Sequence, residues 1–357
     1  MGFLRFSLGI FFICLLKTGL CNAQDPSFSQ IDNTLSYYHA SNINIEGGAG
    51  INLAHRRQWS KVPGGFTSSW INGTIKAEKK NTSFGFNFIS DQEGAALIQT
   101  QKIDLVCRQQ LKISSKRFRS IKSFTIGGYA GVERKSIDWS KLVFSDQIDP
   151  VFGIYQPSSQ IQPQSENTLF YDCGISLTTS LSFKAKDLRI PINIHTSVNH
   201  FISRGDESLQ GIETQKPRLF VISATSTIQK NDFFNTPLIK PSFQWELQTK
   251  AHRIKFGSLA GYISERAERA FYVGMYYSTF VNYRYRINAS AIIPVVGFEK
   301  QVNNSVFSFG YSYDMILSGL NVSQAGGIHE ITMALSYVTK KTRYKQGSNV
   351  FVKCPDF

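Results

Sequence analysis

Charged residues are scarce in this chain. Asp, Glu, Lys and Arg together make up 18% of the 357 residues, whereas about a quarter is usual in soluble domains. Aromatic residues instead reach 13%, with 28 Phe and 15 Tyr, and there are 27 Gly. This balance argues against a disordered or mainly helical chain and favours strands that present an apolar surface.

Long apolar runs are also missing, except for one near the N-terminus. That run covers residues 7–16, which is shorter than the roughly 20 apolar residues of a transmembrane helix. It follows a basic residue and precedes a small-x-small sequence that ends at Ala23. The arrangement predicts a signal peptide over residues 1–23, cleaved between Ala23 and Gln24.

Cysteine is rare, and its positions fit no disulfide framework. Cys14 and Cys21 lie in the expected signal peptide, and Leu20 before Cys21 is bulkier than lipoprotein processing prefers. Three cysteines then remain, which cannot all pair within one chain and whose spacing matches no metal motif. They are Cys107, Cys173 and Cys354.

Acidic residues are outnumbered by basic ones. The 39 Lys and Arg against 25 Asp and Glu give a net charge of +14, and loss of Arg5 and Lys17 with the signal leaves 37 basic residues and +12. Because the basic residues are scattered over turns and a tail rather than gathered on one face, we expect no nucleic-acid partner.

Catalytic motifs are absent from the sequence. It has no Gly-x-Ser-x-Gly elbow, no phosphate loop and no HExxH,. His195 and His200 are five residues apart in an expected strand, so we expect them on opposite faces and not on one metal. Asp146 and Asp149 lie in a turn without a second acidic cluster. We therefore expect no catalytic residue, cofactor or metal, and a protein that is not an enzyme.

Period-two alternation is the pattern that recurs along the chain. Large apolar residues alternate with small polar ones over residues 84–88, 307–314 and 331–337. This alternation predicts a transmembrane antiparallel β-barrel with its apolar side chains towards lipid and its small polar ones towards the lumen. We count about fourteen strands between Gly47 and Val338, which places both termini in the periplasm. A secreted soluble β-protein is the weaker alternative, because its outer faces would carry more charge.

Tyrosines and polar segments suggest where the membrane ends. Five tyrosines crowd one region, and we expect them at the membrane interface. Two long polar segments, residues 138–167 and 203–216, are expected to be surface loops. The five tyrosines are Tyr272, Tyr276, Tyr277, Tyr283 and Tyr285.

Several segments, in a shared order over nearly the whole mature chain, resemble the PorP/SprF family of the Bacteroidota type IX secretion system. In chain order they read QDPSFSQ, HRRQW, FSDQID, YDCG, GYSYD, LSGL, GGIHEI and CPDF. The positions that carry the resemblance are Asp25, Pro26, Phe28, Gln58, Trp59, Asp146, Gln147, Asp149, Tyr311, Tyr313, Asp314, Ser318, Gly319, His329 and Glu330.

The signal peptide and the alternating strands predict one barrel domain over residues 24–339, and the resemblance implies that it is an outer-membrane barrel that serves type IX secretion. It implies support for secretion or surface anchoring of particular cargo, such as adhesins used in gliding. The implied partners are outer-membrane lipid, periplasmic ring components of the machine and the C-terminal signal domain of the cargo. A passive outer-membrane channel or transporter for small hydrophobic molecules is the alternative function, because a barrel alone does not fix function.

The last residues, 340–357, form a basic tail after the expected closing strand. We expect this tail in the periplasm, where its charge could steer an acidic partner and its apolar end could anchor it. A solvated end without a partner is the alternative. The candidate partner-binding residues are Lys340, Lys341, Arg343, Lys345, Cys354, Pro355 and Phe357.

Overall fold

The computed structural model describes most of the mature chain. The described residues are 25–43, 48–77, 81–94, 98–113, 120–138, 142–149, 151, 153–154, 167–185, 188–205, 215–229, 235–264, 268–281, 287–317 and 326–338. The expected cleavage site at Ala23 and Gln24, the motif residues Ser318 and Gly319, and the whole basic tail lie outside these ranges.

Long antiparallel strands form the wall of the molecule. The described sheet has fifteen strands, one of which is the two-residue segment Ile228–Gln229, so fourteen long strands remain. They are β1 (Gly48–Gln58), β2 (Phe66–Lys76), β3 (Thr82–Glu93), β4 (Ile98–Lys112), β5 (Ile121–Ile137), β6 (Asn167–Ala185), β7 (Leu188–Gly205), β8 (Leu219–Ser226), β9 (Asn235–Gln248), β10 (Ala251–Ser264), β11 (Arg269–Val281), β12 (Ile287–Val302), β13 (Ser305–Ile316) and β14 (Ile328–Val338).

The sheet closes into a barrel. Each strand pairs with its neighbours in the sequence, and β14 pairs with β1 in a register that places Met333 opposite Leu53. Closure leaves no unpaired edge, which is the condition for strands to cross lipid. The expected all-β transmembrane barrel of about fourteen strands is confirmed.

Alternation along the strands gives the barrel two different faces. Leu335 is 51% exposed on the outside, whereas Thr332 is 4% exposed on the inside. Phe84 and Phe86 point outward in the same way, and Asn87 between Phe86 and Phe88 is buried. The outer face is apolar and the lumen is lined mainly by polar side chains, as the sequence pattern predicts.

The tyrosine prediction is wrong for two of the five residues. Tyr272 and Tyr276 are buried, and both belong to the cluster that lines the lumen. Their spacing of four keeps them on one face of β11, and that face is the inner one. Tyr277 lies on the outer side of the same strand, while Tyr283 and Tyr285 lie outside the described residues.

The prediction that His195 and His200 face opposite sides is also wrong. Both are buried. The pairing of β6 with β7 shifts register between Cys173 and Ile175, and His200 has a φ of 55°. Across this bulge two residue steps of β6 oppose four of β7, and the positive φ turns His200 into the lumen, so that two positions five residues apart point to the same side,.

The two rims of the barrel differ in their connections. Gly48 and Val338, the first and last wall residues, lie at the same rim, which we call the inner rim. The longer connections, residues 138–166, 206–218 and 317–327, all leave from the opposite rim, here the outer rim. Outer-membrane barrels place long loops outside and both strand ends in the periplasm. Among the described residues, no helix is long and apolar enough to cross a membrane.

The lumen is occupied by the N-terminal segment of the same chain. Residues 25–43, here called the plug, contain helix α1 (Ile31–Tyr38) and a 3-10 turn (Ala40–Asn42). Most of its side chains are buried, Phe28 and Ile43 among them. A globular core is therefore present inside the barrel, between the plug and the inner faces of the strands.

Candidate functional site

A carboxylate from the wall fixes the start of helix α1. Gln30 precedes the helix but makes no side-chain cap. Instead the Glu330 carboxylate accepts hydrogen bonds from the backbone N–H groups of Ser29, at 2.6 Å, and Gln30, at 2.9 Å. Unpaired N–H groups and the positive end of the dipole make a helix N-terminus a favourable place for a negative charge.

Two further charged side chains complete this contact. Arg56 Nη1 lies 3.1 Å from the Asp314 carboxylate and 3.4 Å from that of Glu330. Arg56 also donates to the Ser29 hydroxyl, and that hydroxyl donates to Asp314 at 2.7 Å. Arg56, Asp314 and Glu330 form the plug lock. Because all three are largely buried, removal of Arg56 would leave two carboxylates without a cation,.

Apolar side chains of the plug pack against separate apolar clusters of wall residues around the lumen, and these clusters are here called seats. Phe28 packs on Ala54, Trp70 and Ile89. Tyr38 packs on β8, and Ile43 packs on β4. Ile31 and Leu35, one helical turn apart, face the largest seat, which consists of Leu259, Tyr272, Tyr276, Ile293 and Val295. Burial of each large side chain stabilises the plug by roughly 1.5–3 kcal/mol.

Polar contacts cross the lumen beside these seats. Asp32 accepts from Ser242, at 2.8 Å, and from Tyr276, at 2.5 Å. Lys255 donates to the Phe28 carbonyl oxygen at 2.6 Å and lies 2.9 Å from Glu246. These contacts hold the plug to β9, β10 and β11, on strands other than those of the lock.

A cluster of charges holds the first described residue near the outer rim. The Asp25 carboxylate lies 2.6 Å from His200 Nε2 and 3.6 Å from Lys216 Nζ. Lys216 also lies 2.5 Å from Glu133, and His200 lies 2.8 Å from Asp172. Burial alone raises the pKa of Asp25, but the charges of His200 and Lys216 outweigh it and hold that pKa well below its ordinary value,.

An imidazole pair joins the end of the helix to the wall. His39 stacks on His195 with ring centroids 5.4 Å apart, and its Nε2 lies 2.8 Å from the Ser223 hydroxyl. Burial, and then the neighbouring His195, lower the pKa of His39 well below its ordinary value of 6.5. His39 is therefore neutral at physiological pH in the seated plug.

The backbone of the plug touches the wall at one glycine. The Ser41 N–H donates to the Ser176 hydroxyl at 2.6 Å. A Cβ on Gly127 would lie 2.3 Å from the Ser41 nitrogen and 2.4 Å from the Ala40 carbonyl carbon. Only a residue without a side chain allows this approach.

The structure gathers some of the predicted motif residues and separates others. Asp25 and Phe28 of the plug meet the wall, and Asp314 and Glu330 hold the plug. Outside this site, Gln147 caps a 3-10 turn (Ser145–Gln147) that also contains Asp146, and Asp149 follows in the same outer connection. The other described motif residues are Pro26 in the plug, Gln58 and Trp59 at the outer end of β1, and Tyr311, Tyr313 and His329 on the lipid-facing side.

Sequence reasoning missed Arg56, Lys255 and His200 as plug contacts. Each is a charged or titratable side chain at an inward position of a strand. That signal was present in the alternation, but their plug partners lie far away in the sequence. Among the described residues, no group of His, Cys, Asp and Glu could hold a metal ion.

Comparison with known proteins places the chain in a family. A family model described as "Type IX secretion system membrane protein PorP/SprF" matches residues 20–335. The chain belongs to this family. As a PorP/SprF protein with a closed barrel and an apolar outer face, it lies in the outer membrane,. It is a membrane component of the type IX secretion system.

Solved structures similar to this PorP/SprF protein are distant. A bacterial polysaccharide outer membrane secretin has 7% identity and a TM-score of 0.41, with 83% of this chain and 100% of that chain covered. A deltaS2 mutant of the monoaromatic hydrocarbon channel TodX has 8% identity and a TM-score of 0.40, with 85% and 93% covered. The transport unit of the autotransporter AIDA-I from Escherichia coli has 9% identity and a TM-score of 0.34, with 87% and 95% covered. No curated protein matches the chain. At these scores the likeness says nothing about what this protein binds.

Proposed function

We propose that this protein is a non-catalytic platform that retains or helps to secrete particular type IX cargo, such as adhesins with a role in gliding. One observation carries the proposal, which is that the lumen of a type IX family member is filled by the plug. A filled lumen leaves the rims and the outer wall as the surfaces for partners. The periplasmic ring and the C-terminal signal domain of the cargo are the partners we propose.

Surface proteomics of a deletion strain tests this proposal. We expect one or a few surface proteins to be lost while other type IX cargo is still exported, because the platform serves particular cargo and not the machine as a whole. Re-expression of the wild-type chain should restore the lost proteins and serves as the control. An unchanged surface proteome, or loss of all cargo, would contradict the proposal.

The basic tail is the part that we propose as a handle for periplasmic components. Lys340, Lys341, Arg343 and Lys345 follow the inner end of β14, and the last four residues, CPDF, include the apolar Phe357. A basic strip steers an acidic partner over roughly 8 Å at physiological salt. The apolar end would add affinity by burial.

Two variants of the tail separate a handle from a solvated end. A chain truncated after Thr339 should insert into the outer membrane but lose co-purification with ring components and lose its cargo from the surface. A full-length chain with the four basic residues changed to Gln should bind the partner more weakly. Its binding should also depend less on salt concentration than that of the wild-type chain. Retention of partners and cargo by both variants would rule out the tail as the handle.

A passive channel remains the competing function, and the plug weighs against it. An open conduit needs a continuous aqueous path, whereas here buried apolar seats and ion pairs join the plug to the wall on several sides. Conductance of the purified protein distinguishes the two.

A further inference from the structure

The first described residue of the mature chain lies close to the outer rim. The Asp25 N–H donates to Gln248 at 2.9 Å, and Gln248 is the last residue of β9 at that rim. The Asp25 carboxylate also faces Lys216, which belongs to the outer connection between β7 and β8. Its side chain is 16% exposed, whereas Phe28 and Ser29 further along the plug are buried.

The other end of the plug lies towards the inner rim. The Ile43 carbonyl oxygen accepts from Arg108 at 2.9 Å, and Arg108 lies near the inner end of β4, which ends at Lys112. The chain then enters β1 at Gly48, on the inner rim. The plug therefore starts at the outer mouth and ends at the inner one, so the direction of the chain inside the lumen is fixed.

We infer that the start of the plug, at Asp25, is presented at the outer mouth on the cell-surface side, which differs from the expectation that both termini lie in the periplasm. On the inner side of Asp25 the lumen is occupied by the rest of the plug, from Phe28, with its apolar contacts on β1 and β2, to Ile43 on β4. The start of the plug therefore faces the outer mouth.

Labelling of single cysteines on intact cells tests the orientation. In a background with Cys107, Cys173 and Cys354 changed to Ser, Gln24→Cys supplies one thiol at the mature N-terminus. The matched control is the background that keeps the native Cys354 alone, in the tail. A membrane-impermeant maleimide should label Gln24→Cys on intact cells, and should label Cys354 only after the outer membrane is permeabilised. Label on Gln24→Cys only after permeabilisation, or in neither state, would overturn the inference.

A folded obstacle tests the same direction. The hydroxyl oxygens of Ser41 and Thr178 lie 2.8 Å apart, so Ser41→Cys with Thr178→Cys should form a disulfide when the plug is seated. A folded domain of about 100 residues fused between Ala23 and Gln24 cannot pass through the lumen to the outer mouth, so it should prevent seating and abolish the disulfide. The same domain fused after Phe357 should leave the disulfide intact. Equal disulfide formation in both fusions would overturn the inference.

Discussion

Glu330 shows how one side chain joins the plug to the wall. It lies 301 residues from Ser29 in the sequence, yet its carboxylate accepts that residue's N–H and the next one. Arg56 compensates the charge, so the carboxylate can be buried. Neither residue has a local partner that would reveal this role. Sequence similarity identified Glu330 as a motif position, but only the closed barrel brings it to the start of α1.

The lock gives a direct prediction for a single substitution. Glu330→Gln keeps the shape but removes the charge that accepts two N–H groups and faces Arg56, so plug seating should weaken by about 1.5–3 kcal/mol. Trp70 packs on Phe28, so its fluorescence should report plug release during urea unfolding in detergent. Ile331→Val, on the lipid side of the same strand, should leave the urea midpoint nearly unchanged. Equal midpoints for Glu330→Gln and wild type would contradict the lock.

His39 gives a prediction for pH. Its pKa is lowered in the seated plug, so released plug binds more protons just below the ordinary value of 6.5. The contribution of neutral His39 to the free energy of plug seating is therefore fully present above pH 6.5, and it is lost as the pH falls towards the lowered pKa. The urea midpoint for plug release should drop between about pH 8 and about pH 5. His39→Gln should reduce this drop, and His55→Gln on the outer wall should not. An unchanged drop in His39→Gln would assign the effect to other groups.

Strands and plug differ in how far the sequence predicts them. The outward faces of β13 and β14 follow from the period of two, because successive side chains of a strand point alternately to lipid and to the lumen. Tyr272 and Tyr276 show where the same reasoning fails, since tyrosine suits both a membrane interface and a core inside the barrel. His200 fails for another reason, because a bulge changes the face without a local sequence signal. The plug shows only a short helical pattern, and its seats are spread over strands from β1 to β12.

Two adjacent glycines of β5 test the fit between plug and wall. Gly127→Ala would push against the backbone at Ala40 and Ser41 and should destabilise plug seating by about 1–3 kcal/mol. Gly128→Ala is the matched control, because its Cβ would meet only the Gly174 carbonyl oxygen at 3.4 Å. The measurement is the yield of the disulfide between Ser41→Cys and Thr178→Cys in each background. A similar yield in both would show that the plug backbone does not depend on this approach.

At the scale of the whole molecule, a transmembrane barrel and its own N-terminal segment form one packed unit. The barrel supplies the lipid-facing surface, and the plug supplies the interior that a soluble protein would build from a second sheet. The class of barrel and the family follow from alternation and from motif order along the chain. The filled lumen follows only from contacts between residues far apart in sequence, such as Asp25 with His200 and Ser29 with Glu330.

Planar-bilayer recording tests the filled lumen most directly. The purified full-length protein should insert without a steady open-pore conductance, because the plug closes the lumen from Asp25 to Ile43. A variant that lacks residues 25–43 should conduct steadily after insertion. That result would show that the plug is the reason why the wild-type protein has no steady conductance. A steady conductance from the full-length protein, equal to that of the deletion variant, would contradict the account.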